Sequence, residues 1–249
     1  MLISSKIDTR VTKEDYMPHN KMTIFIAGDS TAEIKTDSER PESGWGEYLS
    51  DFFNDSIQVS NHAMGGRSTK SFLEQNRFEL ILDEMKPGDY LLIQFGHNDQ
   101  KTDDPERYTD PHSNYQDNLK SFIHKTKVKE ATPILLTPIS RRVFREGQID
   151  ATSLGGYPAA MRKIAQEENV LLIDMHQLSI QLLNQLGEED SKELFLHLKE
   201  NESANYPEGL LDNTHFSEIG AQTFAKMVAQ ELARQIEEIN QNTNKEQII

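Results

Sequence analysis

Four short clusters of small and polar residues carry the side chains best suited to acyl-transfer chemistry. They are Gly28-Asp29-Ser30-Thr31, the run 61–68 ending in Gly65-Gly66-Arg67-Ser68, Gly96-His97-Asn98-Asp99, and Asp212-Asn213-Thr214-His215. A serine hydroxyl is a weak nucleophile until a base removes its proton, and the base works best when a third group fixes its tautomer. Asp212 and His215 can supply both functions. A short loop ahead of a helix would set Asp212 on one ring nitrogen of His215 while the other nitrogen faces Ser30. Attack on an ester also creates an oxyanion that must meet hydrogen-bond donors. The candidates are the backbone N–H of Ser30, the backbone N–H of Gly66 and the side-chain amide of Asn98. Glycine allows close backbone approach, and asparagine donates without adding charge.

Each fragment also has an ordinary structural reading. Ser30 could cap a helix, Asp212 could form a turn, and Gly65-Gly66 could be a plain loop. Their joint occurrence, each at an expected strand end or helix entrance, is what points to function.

The elements that must position these clusters follow from hydrophobic pattern. Short apolar runs at 23–27, 57–60, 90–95, 133–139 and 170–175 read as buried strands. Between them lie stripes at helical spacing: Trp45, Tyr48, Leu49, Phe52 and Phe53; Phe72, Leu73, Leu80, Ile81 and Met85; Leu119, Phe122 and Ile123; Phe224, Val228, Leu232 and Ile236. Alternating strands and helices predict an α/β fold with a doubly wound parallel sheet. Ligands in such sheets bind at the carboxyl ends of the strands, where strand order reverses. No linker divides the pattern, so residues 1–249 are expected to form a single domain, with an N-terminal extension at 1–20 and a polar tail at 241–249. Two irregular stretches, 98–113 and 140–156, are long enough to be functional.

Composition narrows the partners. The 249 residues carry 41 Asp and Glu against 26 Lys and Arg, a formal net charge of -15. That field disfavours nucleic acid and anionic membrane surfaces. There is no cysteine, which excludes disulfides, thiolate zinc sites and cysteine nucleophiles. No apolar stretch is long enough to span a membrane, and the charged first 22 residues lack the apolar run of a secretory signal. With Met1 as the native start, the expectation is a cytoplasmic protein of unspecified oligomeric state.

With these blocks in view, the chain resembles the SGNH hydrolases, the GDSL-like esterase superfamily named for Ser, Gly, Asn and His in four blocks. Within it the sequence is most similar to rhamnogalacturonan acetylesterases, in Gly28-Asp29-Ser30-Thr31, Gly65-Gly66-Arg67-Ser68 with Lys70-Ser71-Phe72, and Phe95-Gly96-His97-Asn98-Asp99. Thr137-Pro138-Ile139-Ser140-Arg141-Arg142 and the stretch 205–221 agree as well. The resemblance implies a flavodoxin-like three-layer α/β/α fold with a five-stranded parallel sheet. It also implies a triad of Ser30, Asp212 and His215, an oxyanion hole of Ser30, Gly66 and Asn98, and no cofactor. The implied substrate is an acetylated oligosaccharide from the pectic backbone of alternating rhamnose and galacturonate. Another carbohydrate O-acetylesterase, for example on xylan, a short-chain acyl esterase or thioesterase, a lipase, and a non-catalytic carbohydrate-binding protein are the rivals. The sequence departs from the family at Gln75-Asn76-Arg77, where a Glu-Gly-Arg type is expected, and at 152–156, which replaces a more acidic, histidine-containing loop.

Arg67, directly beside the proposed oxyanion donor, and the Arg141-Arg142 pair are the cations suited to a uronate carboxylate or to bracing the site wall. His97, Asp99, His112 and His124 lack the spacing of metal ligands, so no metal is expected. His97 and Asp99 read instead as braces of the site loop, His112 and His124 as surface residues, and His62 as structural. Trp45 and Tyr48 read as core rather than as a sugar platform. The acidic runs 103–110 and 188–193 read as solvated faces, the first a candidate lid beside Asn98.

Overall fold

The computed structural model describes residues 21–248; the expected extension at 1–20 lies outside the described residues. The strands are β1 (Met22–Gly28), β2 (Ile57–Asn61), β3 (Tyr90–Gln94), β4 (Thr132–Leu136), β5 (Phe144–Arg145), β6 (Gln148–Ile149), β7 (Leu171–Ile173), β8 (Phe195–Leu198) and β9 (Leu210–Phe216). The helices are α1 (Thr69–Glu74), α2 (Arg77–Glu84), α3 (Asn114–Val128), α4 (Tyr157–Glu167), α5 (Met175–Asp190), α6 (Glu218–Gln235), α7 (Glu237–Gln241) and α8 (Lys245–Ile248).

All five expected strands are present and form one parallel sheet in the order β2-β1-β3-β4-β7. The central strands β1, β3 and β4 are buried on both faces, and successive residues feed opposite cores, as the period of two requires. Ile24, Ile26, Leu92, Ile134 and Leu136 pack with Trp45, Phe224 and Val228 on one face. Phe25, Leu91, Ile93 and Leu135 pack with Phe72, Phe78, Phe122 and Ile164 on the other. The three layers match the flavodoxin-like expectation. In this order the chain leaves β1 toward one edge and returns at β3, so the switch point lies between β1 and β3, just where Ser30 and Asn98 follow their strands.

Helix starts obey capping chemistry. Ser68 accepts from Ser71 N at the head of α1, Asp174 from Gln177 N at α5, and Ser217 from Gly220 N at α6. Trp45 is fully buried, and its indole N–H donates to Gln94 at 2.7 Å, so it is core as expected.

Several expectations need correction. The stripe from Trp45 to Phe53 forms two short 3-10 turns, Trp45–Glu47 and Leu49–Phe52, rather than an α-helix. The stripe from Phe72 to Met85 is broken into α1 and α2, because Asn76 takes a left-handed conformation (φ 55°) that no helix interior accommodates. The stretch 140–156 contains the β5–β6 hairpin. The polar tail folds back: Thr243 bridges Phe53, and Asn244 N donates to Phe52 O at 2.9 Å. The largest correction concerns Asp212 and His215. They lie on β9 of an antiparallel hairpin with β8, outside the main sheet, rather than in a loop. Leu196 pairs with Asp212 and Phe195 with Phe216, so residues 213–215 have no partners across the strand and bulge outward.

Candidate active site

Ser30 stands in the tight turn that follows β1, where Ala32 N and Glu33 N both donate to Asp29 O. The turn lifts the hydroxyl clear of the sheet, and the β9 bulge brings a histidine to meet it from a separate element. Ser30 Oγ lies 2.9 Å from His215 Nε2, and His215 Nδ1 lies 2.7 Å from Asp212 Oδ2. The second carboxylate oxygen accepts from Thr214 N at 2.6 Å and His215 N at 3.0 Å, which fixes the carboxylate plane. The three side chains expected to form a triad, 185 residues apart in sequence at their extremes, are therefore joined in one hydrogen-bonded chain.

Charge follows the same geometry. Burial works to raise the Asp212 pKa, but the His215 bond and field and the two backbone donors outweigh it and hold the carboxyl at about 2. Burial works to lower the His215 pKa, but the Asp212 bond and the fields of Glu42 and Asp212 outweigh it and raise the imidazole above its ordinary value. Such an arrangement can remove a proton from Ser30 and stabilise the resulting imidazolium.

The proposed oxyanion donors converge beside the serine. Met64 N donates to Gly28 O, which ties the 61–68 loop to the end of β1, and Gly66 completes the turn with φ 74°, a left-handed value suited to glycine. Asn98 is buried at the end of β3, and one of its amide hydrogens is held by Arg67 O at 3.0 Å. Among the described residues, the N–H groups of Ser30 and Gly66 have no protein acceptor. A polar pocket of roughly 100 Å³ opens here, walled by Ser30, His97, Asn98, Arg141, Thr214 and His215 with Lys101 at its edge. A larger and more apolar groove of roughly 480 Å³ runs past His197, Leu198 and Leu211 and includes neither Ser30 nor His215.

The remaining expected residues sort themselves by contact. Arg141 lines the pocket and bonds Thr214 Oγ1. Arg67 does not line this pocket; its Nε donates to Gln75 Oε1 and its Nη1 to Gly65 O, contacts that brace the loop. Arg142 is buried and clamps Asn213, Ser191 and Glu188 O, so it too braces the wall. His97 spans Ile139 O, at 3.0 Å, and the buried Asp29, at 3.5 Å. Burial works to raise the pKa of Asp29, yet His97 and Thr31 hold it below the usual range. Asp99 accepts from Thr69 N, Thr69 Oγ1 and Thr109 Oγ1, fastening α1 to the site loop. His112 and His124 are exposed, and among the described residues no group of three His, Cys, Asp or Glu could hold a metal ion. His62 is half-buried and paired with Ser60. The departing segment 152–156 packs Gly156 against Pro111, away from the pocket.

Sequence reasoning missed one feature. Lys35, almost fully buried, is held by Glu42 at 2.7 Å and Glu33 at 2.9 Å, and Glu42 Oε1 lies 3.9 Å from His215 Nε2. The segment is irregular, so neither helical nor strand spacing marks these residues in advance.

Comparison with known proteins places the chain in a family. Residues 24–228 match the family model described as GDSL-like Lipase/Acylhydrolase. The chain is 44% identical over 215 residues to the rhamnogalacturonan acetylesterase RhgT of Bacillus subtilis, covering 86% of this chain and 90% of that one. Among solved structures, YxiM of Bacillus subtilis superposes with TM-score 0.73 at 29% identity, covering 86% of this chain and 57% of the longer YxiM chain. The acetylxylan esterase Axe2 of Geobacillus stearothermophilus, at 19% identity and TM-score 0.62 over 85% of this chain and 94% of its own, shares the fold. With a family match over most of its length, this chain belongs to the GDSL-like lipase and acylhydrolase family and is a carboxylic ester hydrolase.

Proposed function

We propose that the chain is a serine acetylesterase that removes O-acetyl groups from pectic rhamnogalacturonan oligosaccharides, with Ser30 as nucleophile, His215 as base and Asp212 as its orienting partner. The observation that carries this reading is the chain of contacts at 2.9 and 2.7 Å from Ser30 through His215 to Asp212, placed beside two unspent backbone donors. The 44% identity to a rhamnogalacturonan acetylesterase supports the substrate.

In this mechanism Ser30 Oγ attacks the acetyl carbonyl carbon as its proton passes to His215 Nε2. Ser30 N–H, Gly66 N–H and the free Asn98 amide hydrogen receive the oxyanion. On collapse the carbon–oxygen bond to the sugar breaks, and His215 returns its proton to the departing sugar oxygen. Water, deprotonated by His215, then attacks acetyl-Ser30; acetate leaves, and the proton returns to Ser30. The position of Arg141 on the pocket wall supports a contact with the sugar. The small polar pocket suits an acetyl group, and the apolar groove lies elsewhere, which argues against long acyl chains.

The test is acetate release from acetylated rhamnogalacturonan oligosaccharides, with acetylated xylan alongside and Ser30→Ala as control. Serine-dependent release from the pectic substrate is expected. Release from xylan alone would keep the chemistry and discard the substrate, and full activity in Ser30→Ala would discard both.

A further inference from the structure

The protein carries a formal charge of -15, yet the pocket beside Ser30 is bordered by cations with donors to spare. Lys101 lines it, and among the described residues its ammonium has no acceptor. The Arg107 guanidinium lies against the proposed oxyanion hole, since a methyl group at Gly66 would meet Arg107 Nη1 at 3.4 Å. Arg107 spends only Nε on a carboxylate, that of Asp104 at 3.0 Å, which leaves both terminal amino groups without acceptors among the described residues. Arg141 completes the wall.

The acids near the site have partners of their own. Asp104 holds one edge of Arg107, Asp29 is buried against His97, and Glu33 and Glu42 share the single ammonium of Lys35, so that cluster stays net negative. The Lys101 ammonium at the pocket and the terminal amino groups of Arg107 beside Gly66 thus remain available to an anion.

The loop that presents the two new cations is not a loose flap. Thr109 N and Oγ1 bond Asp99, Tyr157 Oη bonds both Asp99 O and Thr109 O, and Lys70 Nζ bonds Pro105 O at 2.8 Å. A guanidinium held in place before binding gives directional recognition of a carboxylate at low ordering cost.

We propose that Lys101 and Arg107 are specificity-determining residues that receive the carboxylates of uronate sugars flanking the acetylated one. This rests on the reading of the site as a carbohydrate acetylesterase. A neutral backbone such as xylan offers nothing to this wall, whereas a polyuronide places a carboxylate within a sugar or two of each acetyl group.

The test compares acetate release from acetylated rhamnogalacturonan oligosaccharides with release from the same material after its carboxyl groups have been reduced to alcohols. The wild type is expected to favour the uronate form in kcat/KM by about tenfold or more, the size of one or two charge-assisted hydrogen bonds. In the double variant Lys101→Gln/Arg107→Gln that ratio is expected to fall to within about twofold of unity through a higher KM, and Arg107→Lys should lie between. A ratio unchanged in the double variant, or an equal loss on both substrates, overturns the proposal. A second arm separates it from the substrate reading: unacetylated oligogalacturonate is tested as a competitive inhibitor of para-nitrophenyl acetate hydrolysis. If the wild type releases no acetate from pectic material but is inhibited, and the double variant escapes inhibition, the substrate assignment falls and the anion-binding wall stands. If oligogalacturonate inhibits both proteins equally, or neither, the wall falls.

Discussion

Replacing Asp212 by Asn tests the relay at its most geometrically constrained point. The Asp212 carboxylate uses Oδ1 for two backbone donors, Thr214 N at 2.6 Å and His215 N at 3.0 Å, and Oδ2 for His215 Nδ1 at 2.7 Å. An asparagine has one oxygen for these two tasks. Keeping that oxygen on the backbone pair turns the amide NH2 toward Nδ1, which must then accept. The His215 proton moves to Nε2 and points at Ser30 Oγ, 2.9 Å away, where a lone pair is needed. Flipping the amide restores the tautomer only by facing NH2 against two backbone N–H groups. The backbone therefore selects the wrong tautomer, and kcat should fall by about 10⁴, or about 5 kcal/mol of barrier. The pH profile adds a sign. Only neutral His215 can take the serine proton, so wild-type activity falls with decreasing pH through a value above the ordinary imidazole range, because Asp212 and Glu42 raise it. Removing the Asp212 charge should move the acid limb of the residual activity downward. The assay is steady-state hydrolysis of para-nitrophenyl acetate from about pH 5 to pH 9, with thermal melts to confirm folding. A loss below tenfold, or an acid limb that stays in place, would refute the reasoning.

Other perturbations read neighbouring parts of the site. Asn98→Ala removes one oxyanion donor and should lower kcat by about 10²–10³ with little change in KM; an equal rise in KM would make Asn98 a ground-state binder instead. Glu42→Gln removes a carboxylate 3.9 Å from His215 Nε2, one of the causes that raise its pKa, and should shift the acid limb of kcat/KM to lower pH. An unshifted limb would take Glu42 out of the electrostatics of the base. Asp99→Ala strands Thr69 N–H and the Thr69 and Thr109 hydroxyls, at about 2–5 kcal/mol, which a chemical-denaturation series would register. Burial also pushes Asp99 up to about 7, despite those donors. The folded state then binds this proton more tightly than the unfolded one, so wild-type stability should decline as pH rises from about 4 to 7, and the variant should lose that slope.

Much of the sheet was legible because parallel strands buried on both faces are nearly continuous apolar runs, and residues 90–95 form one too short for a typical helix. The site residues that follow those strands were legible for the same reason, since a polar cluster after a buried strand has to emerge at the carboxyl edge. Legibility failed where tertiary contact overrode local pattern. Helical spacing from Trp45 to Phe53 records only that these side chains point into one core; the Gly44 and Glu47 cap and the short turns fix the backbone otherwise. The β8–β9 hairpin was hidden because Asn213-Thr214-His215 is polar and unpaired, so alternation stops at the bulge. Lys35 and Glu42 were invisible because their pairing depends on how an irregular segment folds, and the partners of Arg67 were invisible because adjacency to Gly66 in sequence says nothing about where a long side chain turns.

The placement of the proposed base on that hairpin, rather than on the sheet, accounts for the polar contacts that surround it. Ser30 is held by the hydrogen-bonded turn that directly follows the central strand β1. His215 sits on an unpaired bulge, which by itself leaves its ring free to drift. The structure closes that freedom from three sides. Phe195, Phe216 and Phe224 pack edge-on or tilted at centroid distances of 4.7–6.4 Å and anchor the Phe216 end of the bulge in the core. Ser43 N bonds Phe216 O from the segment that also carries Lys35 and Glu42. Arg142 bonds the backbone and side chain of Asn213 and reaches the end of α5 through Glu188 O and Ser191. A bulge lets three consecutive residues supply a carbonyl for Arg142, a hydroxyl for Arg141 and an imidazole for Ser30, which a regular strand, alternating its faces, could not do. Departure from regular pairing is thus what allows one short segment to serve the wall, the substrate side and the base at once.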